Sequence, residues 1–253
     1  MTGRAANPPA APQAAAASIQ VASFIAELMK TLSRICCACV AAILLAGSAA
    51  GSAQRGAAAA PNPMRASAWE IGPITPRRNY SVNMPRTPSP HRDGWFFEFP
   101  WPDKSAGHVH YVTFRHGPLA GKRRIVLRYR IEAAPGVRFV PTNSPGYPSI
   151  ISLFFQRRGD NWSGRGEYEA YRWWSTFRIH MPITPGEHVL SVGLNEIWTA
   201  VRTSSAATNP QGFQEALRNA DRVGIAFGGG DGFGHGVYAT GPARFVVTSF
   251  RVL

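Results

Sequence analysis

Along residues 123–132 apolar and polar positions alternate without a break. Ile125, Leu127, Tyr129 and Ile131 share one parity, and Val126, Arg128, Arg130 and Glu132 the other. A period of two puts these sets on opposite faces of an extended chain, so the stretch predicts a half-solvated strand of an antiparallel sheet. In residues 95–99 the same rule groups Trp95, Phe97 and Phe99. Near the C-terminus Val223, Ile225 and Phe227 alternate with Gly224, Ala226 and Gly228. Further strands are predicted over residues 108–116, 137–140, 150–157, 171–177, 188–194 and 244–253, with 69–74 a candidate first strand. Turn residues punctuate them, as in Ala134-Pro135-Gly136, Ser144-Pro145-Gly146 and Thr184-Pro185-Gly186. About nine or ten short strands, not interleaved with helices, predict an all-β sandwich or barrel rather than a parallel α/β sheet.

One helical stretch interrupts this texture. Asn209 is a good N-cap, Pro210 suits the first helical position, and Phe213, Ala216, Leu217 and Ala220 form an apolar stripe. A short helix plugging one end of the sandwich is expected. Residues 75–92, with four prolines among arginines, predict an irregular segment lying across the surface. Residues 228–236 form a glycine-rich run between two strands. As a phosphate cradle the run lacks a following helix, and as a calcium-binding repeat it is a single copy. A loop using the conformational freedom of glycine is the simpler reading, with Asp231 and His235 available to touch a ligand.

The N-terminal fifth has a different character. Residues 1–28 are Ala- and Pro-rich and read as an over-called start or a disordered extension. Residues 29–53 have the layout of a secretory signal: Lys30 and Arg34, an apolar run over 35–46, then small residues up to Ala53. The apolar run is too short for a stable membrane span. Residues 54–68 read as a small-residue linker and 69–253 as the folded domain. The only cysteines, Cys36, Cys37 and Cys39, lie in the signal-like segment. The domain therefore has no disulfide framework and no thiolate chemistry. A periplasmic or secreted location is expected.

The chain carries a formal net charge of +13, and all but three of its 27 basic residues are arginine. Loss of residues 1–53 would leave +11. Such a balance favours anionic partners without selecting among them. Export argues against nucleic acid and leaves a polysaccharide or other anionic envelope polymer.

The chemistry-bearing residues concentrate in 157–174. Arg157, Arg158, Asp160, Asn161, Trp162, Tyr171, Arg172, Trp173 and Trp174 combine aromatic faces with forked donors and a carboxylate. Sugar recognition needs this combination, since C–H faces stack on indoles while hydroxyls take hydrogen bonds. The competing reading is that the tryptophans fill the core. Trp173 and Trp174 are adjacent, so only one of them can face it. The candidate ligand-binding set is Arg157, Arg158, Asp160, Asn161, Trp162, Tyr171, Arg172, Trp173 and, on the glycine loop, His235. His108, His110 and His116 share parity with Val112 and Phe114, which predicts a core-facing edge with histidines at its rim rather than a metal site. Neither Gly-x-Ser-x-Gly nor His-Glu-x-x-His occurs. Asp160, Glu167, Glu169 and Glu98 are the carboxylates from which an acid/base pair could come. An arginine and a tyrosine near a histidine could instead support a polysaccharide lyase.

In strand order and texture residues 95–253 resemble the jelly-roll, galactose-binding-like sandwiches found as carbohydrate-binding modules of secreted bacterial proteins. The segments that carry the likeness are 123–132, 150–156, 187–220 and 223–253. The resemblance implies a non-catalytic glycan binder with no cofactor and admits a structural calcium. An enzyme on the same scaffold, lyase or hydrolase, and a structural envelope protein are the alternatives.

Overall fold

The structure, a computed structural model, describes residues 62–175, 181–230 and 232–253. The signal-like segment, the three cysteines, His180 and Asp231 lie outside the described residues, as do the last two positions of the strand expected over 171–177. The described strands are β1 (Trp69–Gly72), β2 (Ser89–His91), β3 (Gly94–Glu98), β4 (Tyr111–Arg115), β5 (Arg124–Ala133), β6 (Phe139–Pro141), β7 (Ser149–Arg157), β8 (Arg172–Ser175), β9 (Met181–Pro182), β10 (Gly186–Gly193), β11 (Trp198–Ala200), β12 (Ala220–Gly229), β13 (Val237–Ala239) and β14 (Ala243–Val252). One α-helix, α1 (Pro210–Arg218), lies between β11 and β12.

The strands form an all-β sandwich of antiparallel sheets. The larger sheet runs β1-β4-β12-β7-β8-β11, with β9 also pairing with β7, and the smaller runs β10-β5-β14-β3-β2. β6 and β13 make a separate ribbon. Alternation sets the register: Leu127 of β5 sits opposite Leu190 on one side and Phe250 on the other, so one face of three strands is apolar. Ile125, Leu127, Tyr129 and Ile131 are all buried, as their period predicts.

Aromatic rings join the two layers. Phe97 meets Phe227 at 5.6 Å between centroids, Phe114 meets Phe250 at 5.5 Å, and Trp69 meets Trp95 at 4.6 Å. Both indoles donate to the Pro63 carbonyl, at 2.7 and 3.1 Å. Met64 and the buried Ala66 pack on the same core. Residues 63–66, within the stretch read as a linker, thus pack on the same core and supply the acceptor for two of its tryptophans.

Asn209 caps α1 by accepting from the Gly212 amide at 2.9 Å, and Pro210 opens the helix. Phe213, Ala216 and Leu217 face the core, with Phe213 against Trp173 at 4.9 Å and Phe155 at 5.8 Å. The segment 75–92 is irregular apart from Ser89–His91, which adds an edge strand to β3. It is tied down by Ser81, whose hydroxyl donates to Gly72 O at 2.6 Å and accepts from the His110 amide at 2.9 Å. Among the described residues no helix is long and apolar enough to cross a membrane.

Phe245 contacts Phe97, Tyr129 and Phe227 at 5.0–5.4 Å and is fully buried. Phe245→Ala is expected to cost about 3–5 kcal/mol through lost burial and the cavity left behind. The shift of the urea unfolding midpoint at constant slope measures this.

Candidate functional site

Residues 149–156 of β7 are buried without exception. Ile151, Leu153 and Phe155 face the smaller sheet, while Phe154 faces the opposite way. There it joins Tyr111 of β4, Trp174 of β8 and Ala226 of β12 in a second apolar cluster on the outer face of the larger sheet. Trp162, Val201 and Phe233 pack on this cluster from loops. The neighbouring tryptophans of β8 thus divide. Trp173, expected in the ligand-binding set, is fully buried between the sheets with its N–H donated to Ala170 O at 2.9 Å, and does not reach the outer face. Trp174, of opposite parity, does.

The histidine edge departs from strict alternation. Val109 and Val112 both belong to the inter-sheet core, so the alternation breaks between them. His110 and Tyr111 both reach the outer face instead of His110 following Val112 inward. His110 Nδ1 lies 2.8 Å from Gly234 O, which assigns its proton to Nδ1 in the neutral ring, because a carbonyl can only accept. Burial, next to His108 at 4.8 Å between rings, pushes His110 down to about 4 from its ordinary 6.5. Burial also raises the Tyr111 phenol above its ordinary value, with Arg172 opposing that rise.

The loop after β7 is held by a buried ion pair. The Asp160 side chain is fully buried and that of Arg172 is 11% exposed. Arg172 Nε lies 3.0 Å from Asp160 Oδ2, but the N–H is not aligned for a hydrogen bond, so Coulomb attraction makes the link. Gln156 Nε2 donates to the same oxygen at 2.8 Å, and the Trp162 amide donates to Oδ1 at 3.0 Å. This last bond turns Trp162 into the left-handed region, at φ 65°, where a bulky side chain is an outlier. The Arg172 guanidinium then sits over the Trp162 ring at 5.0 Å.

The glycine run closes over the same face. A Cβ at Gly234, φ 69°, would collide with the Tyr111 hydroxyl, and one at Gly236, φ 98°, would come within 2.7 Å of His110 Nε2. Only glycine lets the backbone lie this close to both rings. His235, between them, is exposed, with Nδ1 3.0 Å from Asn143 Nδ2.

Three adjoining cavities cross this face. The central one, about 300 Å³, is floored by Tyr111, Trp162, Trp174 and Phe233, with Arg172 and His235 in its walls. A cavity of about 190 Å³ continues it past Gln156, Asp160 and Arg222, sharing Tyr111 and Trp162. One of about 290 Å³ continues it past Arg78, Lys104 and His108, sharing Tyr80, His110 and His235. A larger cavity, about 780 Å³, lies beside α1 and Leu253. It has no aromatic wall and none of the buried polar atoms that lack partners, so the aromatic groove is the candidate site. Those atoms include Trp174 Nε1, His110 Nε2 and His108 Nδ1, all in groove residues. The Trp174 nitrogen is close enough to Tyr111 to hold the phenol's pKa down somewhat, yet misses hydrogen-bond geometry.

Of the expected set, Asp160, Trp162, Arg172 and His235 come together in the groove, and Arg157 borders its smaller end while pairing with Glu215 at 3.0 Å. Tyr171 stacks under Arg157 at 4.5 Å and Tyr168 at 4.9 Å, outside the groove. Arg158 and Asn161 are exposed beside it. The carboxylates do not assemble as a pair: Asp160 holds Arg172, Glu169 lies 3.4 Å from Arg202, Glu98 pairs with Arg244 on the smaller sheet, and Glu167 is exposed. Among the described residues no group of three or more His, Cys, Asp or Glu is placed to hold a metal ion. Tyr80, His110, Tyr111, Trp174 and Phe233 were not in the expected set. Only Trp174 and His110 carried a sequence signal, through parity and histidine clustering.

Fold and groove define an antiparallel β-sandwich with an aromatic groove on the outside of one sheet. Comparison with protein-family models, with curated proteins and with solved structures finds no match.

Two outcomes follow from the ion pair and the histidine. Asp160→Asn leaves Arg172 buried without its counter-charge and is expected to cost about 3–5 kcal/mol, read by denaturant unfolding with Trp fluorescence. His110 is protonated more readily in the unfolded chain than in the fold, so its contribution is present above pH 6.5 and is lost as pH falls from there towards about 4. Melting temperature should therefore drop over that window, and His110→Gln should flatten the drop.

Proposed function

We propose that this is an exported binding protein whose outer-face groove takes a glycan or other anionic envelope polymer. The observation that carries the reading is the pairing of Trp162 and Trp174 along one cavity of about 300 Å³, with Arg172, Ser163 and His235 at its sides. Indole faces suit the C–H faces of a sugar ring, and the polar rim suits its hydroxyls. Export rests on the signal-like segment 29–53. The carbohydrate-binding-module character of the jelly-roll resemblance points the same way. A polysaccharide lyase is the second reading, favoured by Tyr111, His110 and Arg172 sharing that cavity.

Trp162→Ala removes the ring over the groove without touching the inter-sheet core. It is expected to weaken glycan retention about tenfold while leaving the circular dichroism spectrum unchanged. Affinity electrophoresis in gels containing neutral and acidic polysaccharides checks this. Absence of retention by the wild-type protein across a glycan array would remove the reading.

A further inference from the structure

Charge is distributed unequally along the groove. At the Asp160 end each arginine has a carboxylate: Arg172 faces Asp160 at 3.0 Å, Arg222 faces Glu70 at 3.1 Å and Arg157 faces Glu215 at 3.0 Å. At the histidine end the cations face no carboxylate among the described residues. Arg78 lies over the Tyr80 ring at 4.1 Å, and Lys104 Nζ donates to Thr142 O at 3.3 Å. Neither has a carboxylate partner among the described residues. His108, His110, Asn143 and His235 complete that wall. His235 Nδ1 takes the Asn143 amide hydrogen, which leaves its Nε2 as the protonated nitrogen in the neutral ring. The Thr142 hydroxyl donates to His235 O and holds the loop there. Among the described residues no acidic side chain lines this cavity.

We propose that the histidine end of the groove is an anion subsite. It would receive the carboxylate or sulfate of an acidic sugar residue while a neighbouring ring lies on the Trp162–Trp174 floor. The inference rests on the glycan reading and adds direction to it: the acidic group lies towards Arg78 and Lys104, away from Asp160. Cations without carboxylate partners beside a neutral imidazole N–H, here His235 Nε2, can hold an anion, and two such cations distinguish a charged sugar from its neutral counterpart.

The test compares matched polymers on the full chain: polygalacturonate against its methyl ester for the carboxylate, and dextran sulfate against dextran for the sulfate. The charged member of at least one pair is expected to bind about tenfold more tightly than its neutral counterpart. Arg78→Gln with Lys104→Gln should abolish that preference. Both side chains are exposed, so the fold should tolerate the change. Lys122→Gln with Arg123→Gln, which removes the same charge beside α1, should leave the preference intact. Equal binding of both members, or equal loss with either double variant, overturns the anion subsite alone. If no member of either pair binds, the glycan reading falls and the subsite falls with it.

Discussion

A strand that is apolar on both faces has to be covered twice. β7 is such a strand, and its neighbours β8 and β12, with β4 beyond β12, extend both apolar faces across the larger sheet. The smaller sheet covers one of them with a dense aromatic layer. The other meets no sheet among the described residues. It is covered by the loop after β7 and the glycine run after β12, which cannot interdigitate as a sheet can. The space left between rings and loops is the groove. Site and fold thus have one cause: the mismatch between a sheet that is apolar on both sides and a partner layer that covers one.

Loop cover needs its own means of staying in place, because a loop brings polar backbone onto an apolar surface. Asp160 provides it. Burying a carboxylate is unfavourable unless it is paired and hydrogen-bonded, and this one has Arg172, Gln156 and the Trp162 amide. The same contacts hold Trp162 in a backbone region that costs of order 1–3 kcal/mol. That cost is offset only because the surrounding contacts leave the chain no alternative. On the other side, Gly234 and Gly236 let the backbone settle on Tyr111 and His110. A groove fixed from both sides has little left to order when a ligand arrives.

The architecture was legible where a local rule decides the outcome. Alternation located β5 within a residue and β12 within three, apolar runs between turn residues located β7 and β14 within one, and the Asn209-Pro210 cap located α1. Adjacent tryptophans announced that one would face outward, but not which, since parity has no sign until a strand is paired. The groove was less legible. His110 and Tyr111 share it because alternation breaks beside them, and a break of one residue leaves no mark on composition. Tyr80 and Arg78 reach it from an irregular segment whose path is set by Ser81 hydrogen bonds to Gly72 and His110. Such long-range pairing has no period to read.

Electrostatics weigh on the choice between the two proposed readings of this groove. A lyase needs an arginine free to neutralise a uronate carboxylate and a base able to take a proton. Arg172 is already committed to a fully buried carboxylate. His110 gives its Nδ1 proton to Gly234 O, and its Nε2 is sealed within the wall. The phenol of Tyr111 is raised by burial and lies under Gly234. The groups that suggest catalysis are therefore used up by the packing that forms the groove floor. The groups left to act on a ligand are aromatic faces, rim donors and unpaired cations. Such groups suit holding a polymer rather than transforming it, which is why binding is proposed ahead of turnover.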